Sequence, residues 1–175
     1  DHLGLDYLFK TSLPTLNSEL GTWSGRFKSI FNYLYNKKGP FSLSLNQSGG
    51  YINWKSRHNY PNLQLYFNPI TYSVIHKNKR PLLKTDKFDG FIIGFNSCRP
   101  KSLGHISLNG PSINEDPLID PNFLSSDEDI HDVRCAIDFS KTLLKTKSLQ
   151  KIIKSPIKNN LANSSETEMI EHFKS

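Results

Sequence analysis

Residues suited to chemistry are thinly spread along this sequence. Six histidines, His2, His58, His76, His105, His131 and His172, include no HExxH pair and no other closely spaced ligand pair of the kind that lets two imidazoles share a metal ion. Carboxylates cluster at residues 115–120 and 127–132. The second cluster opens a helical pattern, where negative charge is favoured by the helix dipole, so it reads as structural. Cys98 and Cys135 lie 37 positions apart and form neither a redox motif nor a metal knuckle. Cys135 falls in a helical pattern and reads as a small core residue. No G-x-G-x-x-G or Walker sequence offers backbone N–H groups to a phosphate, and no G-x-S-x-G elbow exposes a serine. Gly49-Gly50 is a doublet inside a strand pattern, which marks a bulge or a close backbone approach. One alternation does set hydrogen-bonding groups in a row: Leu63, Leu65 and Phe67 share one face of a strand, and Gln64, Tyr66 and Asn68 the other. Spacing alone shows a polar strand face and no catalytic centre.

The elements that must carry such a face come mostly as strands first and helices later. Strand patterns fall at residues 3–9, 47–53, 62–68, 90–96 and 104–108, separated by turn residues. A helix is predicted from residue 23 or 24 to residue 36, with Phe27, Ile30, Phe31 and Leu34 as its buried stripe and Gly39-Pro40 as its stop. Residues 11–22 read as a connecting loop. So do residues 69–89, which hold Pro69, Pro81 and five Lys or Arg, a length that marks a functional or mobile loop. After the turn-rich stretch 111–122, a helix is predicted to start at Ser126, with Asp129 as the capping-box partner and Ile130, Val133, Ile137 and Leu144 on its apolar face. Leu149, Ile152 and Ile153 suggest a shorter helix stopped by Pro156. A last one begins near Ser165, with Met169, Ile170 and Phe173 on one side. This order predicts an α+β fold with a mostly antiparallel sheet of about six strands flanked by helices.

Composition narrows the class. A chain of 175 residues with 36% hydrophobic and 11% aromatic residues forms one domain with a real core, not a disordered segment. The formal net charge is +6, but the basic residues are scattered along the sequence. The tightest groups, Lys37-Lys38 and residues 76–80, are short, and no nucleic-acid module accompanies them, so nucleic-acid binding is not expected. The second group retains the capacity to attract an anionic surface. No run of 18 apolar residues is present, so no transmembrane helix is expected. The cysteine usage implies a reducing, cytoplasmic setting. The abrupt Asp1-His2-Leu3-Gly4 opening reads as a cut edge.

Five segments, in order, resemble the glucose–methanol–choline oxidoreductase family, especially its bacterial choline-dehydrogenase-like members. Asp1-His2-Leu3-Gly4 is similar to the end of the "GENLxDH" motif. Residues 39–51, Gly39-Pro40-Phe41-Ser42-Leu43-Ser44-Leu45-Asn46-Gln47-Ser48-Gly49-Gly50-Tyr51, resemble "GPLSLSVNQxGGF". Pro61-Asn62-Leu63-Gln64-Leu65-Tyr66-Phe67 resembles "PNLQLYF". Residues 94–104 resemble "GFNxCRPxSRGH", with Leu103 where Arg is common, and Ile119-Asp120-Pro121-Asn122-Phe123-Leu124 resembles "IDPNYL".

The resemblance implies that residues 1–175 form a substrate-binding (cap) domain that roofs a pocket over FAD, in a flavoenzyme that moves hydride from an alcohol CH–OH carbon to the flavin. It implies that the FAD-binding domain and the catalytic-histidine segment lie outside this chain. FAD would then be bound mainly by that missing domain, and the isolated fragment would be inactive. His172, followed by Phe173-Lys174-Ser175, does not match the catalytic motif. By position in the matched motifs, Asn46, Gln47, Tyr66 and Asn68 line the substrate side of the flavin, with Tyr66 able to donate a hydrogen bond to a substrate oxygen. The same four residues equally fit hydrogen bonding at a sheet edge or between domains. Some choline-oxidising members place a carboxylate near Gln47. Here that position is neutral, and Tyr51 and Trp54 remain for cation–π contacts. The implied partners are a small-molecule alcohol and the FAD-binding domain of the parent chain. A hydroxynitrile-lyase-like relative and a non-catalytic binding module are the alternatives.

Overall fold

The computed structural model describes residues 4–77 and 80–157, so the expected helix near Ser165, and His2 and His172, lie outside the described residues. Its centre is a five-stranded sheet in the order β2-β3-β6-β1-β9, built from β1 (Gly4–Thr11), β2 (Ser48–Ile52), β3 (Leu63–Asn68), β6 (Gly90–Ser97) and β9 (Ile153–Pro156). Every pairing is antiparallel. The fold is α+β as expected, with five strands in the main sheet rather than six. Two separate two-stranded ribbons join it, β4 (Tyr72–Lys77) with β5 (Arg80–Thr85), and β7 (His105–Ser107) with β8 (Leu118–Asp120).

The period of two decides which side of the sheet is dry. Leu5, Tyr7 and Phe9 of β1, Phe91, Ile93 and Phe95 of β6, and Leu63 of β3 are buried on one face. They pack against α3 (Asp127–Leu144), whose Val133, Ala136 and Ile137 are buried in the same core. Phe139 of α3 meets Phe95 and Trp54 edge-on, at centroid distances of 5.9 and 5.0 Å. At roughly 1.5–3 kcal/mol for each large apolar side chain buried, this face holds α3 to the sheet. Cys135 is buried here as a small core residue, and both cysteines are free.

Four expectations need correction. Residues 11–22 are not all loop, because α1 (Leu16–Leu20) forms there, capped by the Thr15 side chain. Residues 69–89 contain the β4–β5 hairpin. The α3 cap is Ser126, which accepts from the Glu128 N–H at 3.2 Å, but Asp129 does not close a capping box. It turns instead toward the 101–102 segment, where it is buried and accepts from the N–H groups of Lys101 and Ser102, each at 2.7 Å. Lastly, α2 (Trp23–Asn36) forms within the expected bounds, yet its apolar stripe faces away from the core. Phe27, Ile30, Phe31 and Leu34 are all exposed, and Ser29 is its buried residue. After α2, Lys37 takes the left-handed conformation and Gly39 (φ +93°) redirects the chain into a short 3-10 turn at Pro40–Ser42. Beyond α3, α4 (Lys147–Ile152) hands over to β9, which pairs with β1 at the sheet edge.

Candidate functional site

The face of the sheet turned away from α3 carries the polar side chains. Register sets them in rows across the strands. Asp6, Gly94, Tyr66 and Gly49 are successive partners across β1, β6, β3 and β2, and Gly4, Asn96, Gln64 and Tyr51 form the next row. The alternation read at Gln64, Tyr66 and Asn68 is therefore the start of a polar surface spanning four strands.

Tyr66 dominates this surface because glycine lets it lie down. A Cβ on Gly94 would sit 2.0 Å from the Tyr66 ring, and one on Gly4 would sit 3.2 Å from its hydroxyl. With neither present, the ring crosses β6 and its hydroxyl donates to Asp6 Oδ1 on β1 at 2.5 Å. The phenol is pushed well above its ordinary value of 10.0, first by burial and then by the Asp6 carboxylate that takes its hydrogen bond. Tyr72, at the start of β4, is raised by burial and by the same carboxylate. Tyr66 thus keeps its proton and commits it to Asp6. What it can offer a ligand is a lone pair, so it accepts a hydrogen bond from a hydroxyl instead of donating one. Beside this row, Asn96 Oδ1 is buried with no hydrogen-bond partner among the described residues.

The structure brings two of the other expected residues together and separates the third. Asn68 is buried, and its amide, oriented to suit its neighbours, donates to the Leu45 carbonyl at 3.1 Å and to the Asn46 side-chain oxygen. Asn46 itself lies on the exposed loop ahead of β2. Gln47 extends the β2–β3 pairing, its N–H donating to the Phe67 carbonyl at 3.1 Å. Its side chain lines an open cleft with Thr15, Ser18, Glu19 and Pro69, beside α1. Trp54 is not on this face. Its indole N–H donates to Asp138 at 2.8 Å and its ring packs on Phe139, so it serves the core and not a cation site. Tyr51 stays exposed on the polar side.

Asp6 is the residue that sequence reasoning missed. Its signal was present: one carboxylate within Leu5-Asp6-Tyr7-Leu8-Phe9, and a glycine inside the apolar run Phe91-Ile92-Ile93-Gly94-Phe95. Glycine inside a strand marks a close approach, here by a ring.

A second concavity of about 510 Å³ lies between β7–β8 and the start of α3. Its buried carboxylate, Asp129, is spent on the Ser102 hydroxyl and on two backbone N–H groups. Burial pushes that carboxyl up, but these hydrogen bonds outweigh it and hold the group below the usual range. Across the same ribbon, His105 and Asp120 stand 3.8 Å apart, both exposed. Neither arrangement frees a nucleophile or a base. Among the described residues no group of His, Cys, Asp or Glu is placed to hold a metal ion. Among the described residues there is no parallel strand pair and no glycine-rich turn entering a helix of the kind that cradles the phosphates of a dinucleotide.

No family model matches the chain. It is similar to an alcohol dehydrogenase [acceptor] of Pseudomonas putida, 31% identical over 146 residues, which covers 83% of this chain and 25% of that protein. An oxygen-dependent choline dehydrogenase of Yersinia pestis is 25% identical over 144 residues, 82% of this chain and 24% of the relative. Among solved structures, a formate oxidase of Aspergillus oryzae superposes with a TM-score of 0.78 at 20% identity, covering 99% of this chain and 34% of that one. The chain therefore spans about a quarter of the length of the curated relatives it matches. With the matched motifs in order and a superposing fold, the chain resembles a part of the glucose–methanol–choline oxidoreductases.

Proposed function

We propose that this chain is the substrate-side part of an FAD-dependent oxidoreductase that acts on a CH–OH donor. The observation that carries the reading is the polar sheet face, where Tyr66 is laid across Gly94 and fixed by Asp6. Strand-borne groups with locked rotamers suit the positioning of a small hydroxylated substrate. FAD, held mainly by a part of the protein outside this chain, supplies the hydride acceptor. The work of the present residues is orientation. Tyr66 Oη accepts from a substrate hydroxyl while its own proton stays on the Asp6 hydrogen bond. Asn68 holds the 45–46 loop in place, and Asn46 and Gln47 offer neutral amide groups at its end. The carboxylate of Asp6, beside Tyr66 and Tyr72, gives the face one fixed negative charge. The two free cysteines suit a reducing compartment, and we place the protein in the cytoplasm.

The test is the flavin spectrum of the full-length protein, mixed anaerobically with a panel of alcohols. Bleaching of the oxidised flavin band by at least one alcohol is the expected result. A well-folded protein without flavin, or a bound flavin that no alcohol bleaches, overturns the proposal. The 175-residue chain alone is expected to give no bleaching with added FAD.

A further inference from the structure

The β7–β8 ribbon holds aliphatic side chains out in water on a firm base. Ile106 and Ile119 are register partners, so both point to one side, and they are 71% and 65% exposed. Leu108, Ile113 and Leu118 are exposed as well. The ribbon is a separate two-stranded sheet, and such a pair is only marginally stable in water by itself. Its root is nonetheless tied. The Asn122 side chain donates to the Leu103 carbonyl at 2.9 Å, and a Cβ on Gly104 would sit 2.3 Å from the Asp120 carbonyl oxygen. Ser102 Oγ accepts from the Ser125 and Ser126 N–H groups at 3.0 and 3.2 Å and donates to Asp129 at the start of α3. An untethered apolar segment collapses out of water, whereas this one is held with its aliphatic groups outward. Leu103, Ile106, Ile119, Phe123 and Val133 wall the concavity of about 510 Å³ beneath it.

The charge around this face has one sign. Residues 102–129 hold six Asp or Glu and no Lys or Arg, and no Trp or Tyr occurs among them. Glu128 pairs with His58 and Asp129 is taken by Ser102, but Glu115, Asp116, Asp120 and Asp127 are exposed.

We propose that the apolar side of the β7–β8 ribbon, with the concavity beneath it, is a docking face for the part of the same protein that lies beyond these 175 residues, through a surface that is apolar at its centre and carries Lys or Arg at its rim. The chain spans about a quarter of the length of its curated relatives, which leaves most of such a protein outside it. A surface on the same polypeptide meets this face at an effective concentration that a free partner does not reach. Charge argues against the other occupants. An isologous contact with a second copy would set these carboxylates against their own copies. An anionic bilayer or a nucleic acid would be repelled by them, and no Trp, Tyr, Lys or Arg is there to hold a headgroup or a phosphate. Left bare, an aliphatic ribbon with unpaired edges invites aggregation.

The test is hydrogen exchange of the full-length protein in a monomeric sample, read by mass spectrometry on peptides covering residues 103–120. Protection at least about a hundredfold over the unstructured rate is expected at the amides that pair β7 with β8. Weaker protection, the behaviour of a bare ribbon, overturns the proposal. The double variant Ile106→Thr with Ile119→Thr keeps the β-branched shape that strands favour and removes apolar contact. It should cut that protection at least about tenfold and lower the melting temperature, while the amides of β1 and β6 keep theirs. Unchanged protection in this variant overturns the proposal, as does protection that appears only in a dimer and is lost on dilution. Glu115→Lys with Asp116→Lys tests the rim. A bare acidic stretch gains from losing two like charges, so a fall in melting temperature, weakened by salt, marks cations opposite. A rise or no change removes the cationic rim. The inference shares with the functional reading only that the protein extends past these residues. A protected ribbon in a full-length protein without flavin would therefore sink that reading and leave this one standing.

Discussion

The Tyr66 hydroxyl reaches the Asp6 carboxylate by passing over a residue that has no side chain. Asp6, Gly94 and Tyr66 are register partners on three neighbouring strands, and the ring spans the middle one. Gly94→Ala puts a methyl where the ring lies, 2.0 Å from its carbons. Because the obstacle is a ring between strands, it cannot move aside cheaply. The expected cost is about 1–3 kcal/mol, the usual range for overpacking, with loss of the Tyr66–Asp6 contact. Urea unfolding with near-ultraviolet circular dichroism measures both. An unchanged midpoint and an unchanged aromatic spectrum would show that the ring does not rest on Gly94.

The same contact makes a prediction at alkaline pH. Burial and the Asp6 carboxylate raise the Tyr66 phenol above its ordinary 10.0, and burial raises Tyr7 and Tyr72 as well. A raised folded-state value means that the native state holds these protons more tightly than the unfolded chain does. Stability from these groups is complete below the unfolded value, near pH 10, and is lost as pH rises from there toward the folded value. Absorbance at the tyrosinate band, followed against pH, should show fewer than the seven tyrosines of the chain ionising before the protein unfolds. Asp6→Asn removes the charge, and Tyr66 should then ionise at lower pH. Seven tyrosines titrating together in the native protein would contradict this.

How much of this was legible in the sequence depends on whether a residue's partner is the core. Strands β1, β3 and β6 were readable because alternate side chains must meet the same dry layer, and that need writes itself as a period of two. The polar row Gln64, Tyr66, Asn68 followed from the same pattern. Helix α2 was readable as a helix, but a stripe at helical spacing does not say which side it faces. Here Gly25 and Ser29 make the close contact, and small residues leave no hydrophobic signal. The β4–β5 hairpin was missed because both its faces expose apolar groups and its basic residues resemble those of a loop. Pro81 reinforced that impression, though a two-stranded ribbon has edges where proline is tolerated. Asp6 was missed because its role exists only across strands that are distant in sequence.

Asn17 gives a prediction about how the hairpin is anchored. It is 1% exposed and satisfied on both sides, accepting from the Thr71 N–H at 2.9 Å while its amide donates to the Thr71 and Asp86 carbonyls. Asn17→Ala leaves the buried Thr71 N–H without its acceptor and takes a donor from the Thr71 and Asp86 carbonyls, a loss of about 1–3 kcal/mol. Hydrogen exchange should quicken at Thr71 and through β4 and β5, while β6 keeps its protection. Uniform loss of protection across the chain would place Asn17 in the general stability of the fold, not in the anchor.

Acid should act through a different group of carboxylates. Asp129 is buried against Ser102 and the Lys101 N–H. Asp89 receives the Thr15 and Ser18 N–H groups and their hydroxyls. In both, burial works upward and the hydrogen bonds prevail, so the folded-state value lies below the ordinary 3.8. A depressed folded value stabilises above the unfolded value, and this contribution is lost as pH falls through the folded one. Melting temperature should therefore fall as pH is lowered through and below about 4, the ordinary range of an aspartate. Asp129→Asn should already be destabilised at neutral pH, because one amide cannot accept from Ser102 and two N–H groups as a carboxylate does. Its further loss on acidification should be smaller than that of the unsubstituted protein.

The substitutions that bear on catalysis belong in the full-length protein. Tyr66→Phe removes the oxygen that Asp6 fixes but keeps the ring over Gly94, so the sheet should remain intact. Gln47→Ala removes a carboxamide at the edge of the same face and little else, since its N–H carries the pairing with Phe67. If the polar face orients the substrate, each variant should retain its flavin absorbance and show slower anaerobic bleaching. About tenfold or more is expected for Tyr66→Phe, corresponding to a lost hydrogen bond of roughly 1.4 kcal/mol. Gln47, which leans toward the cleft beside α1, should show the smaller effect. Bleaching at the unsubstituted rate in both would remove these side chains from the reaction and leave the row a structural feature of the sheet. Loss of flavin in either variant would assign the face to cofactor retention instead.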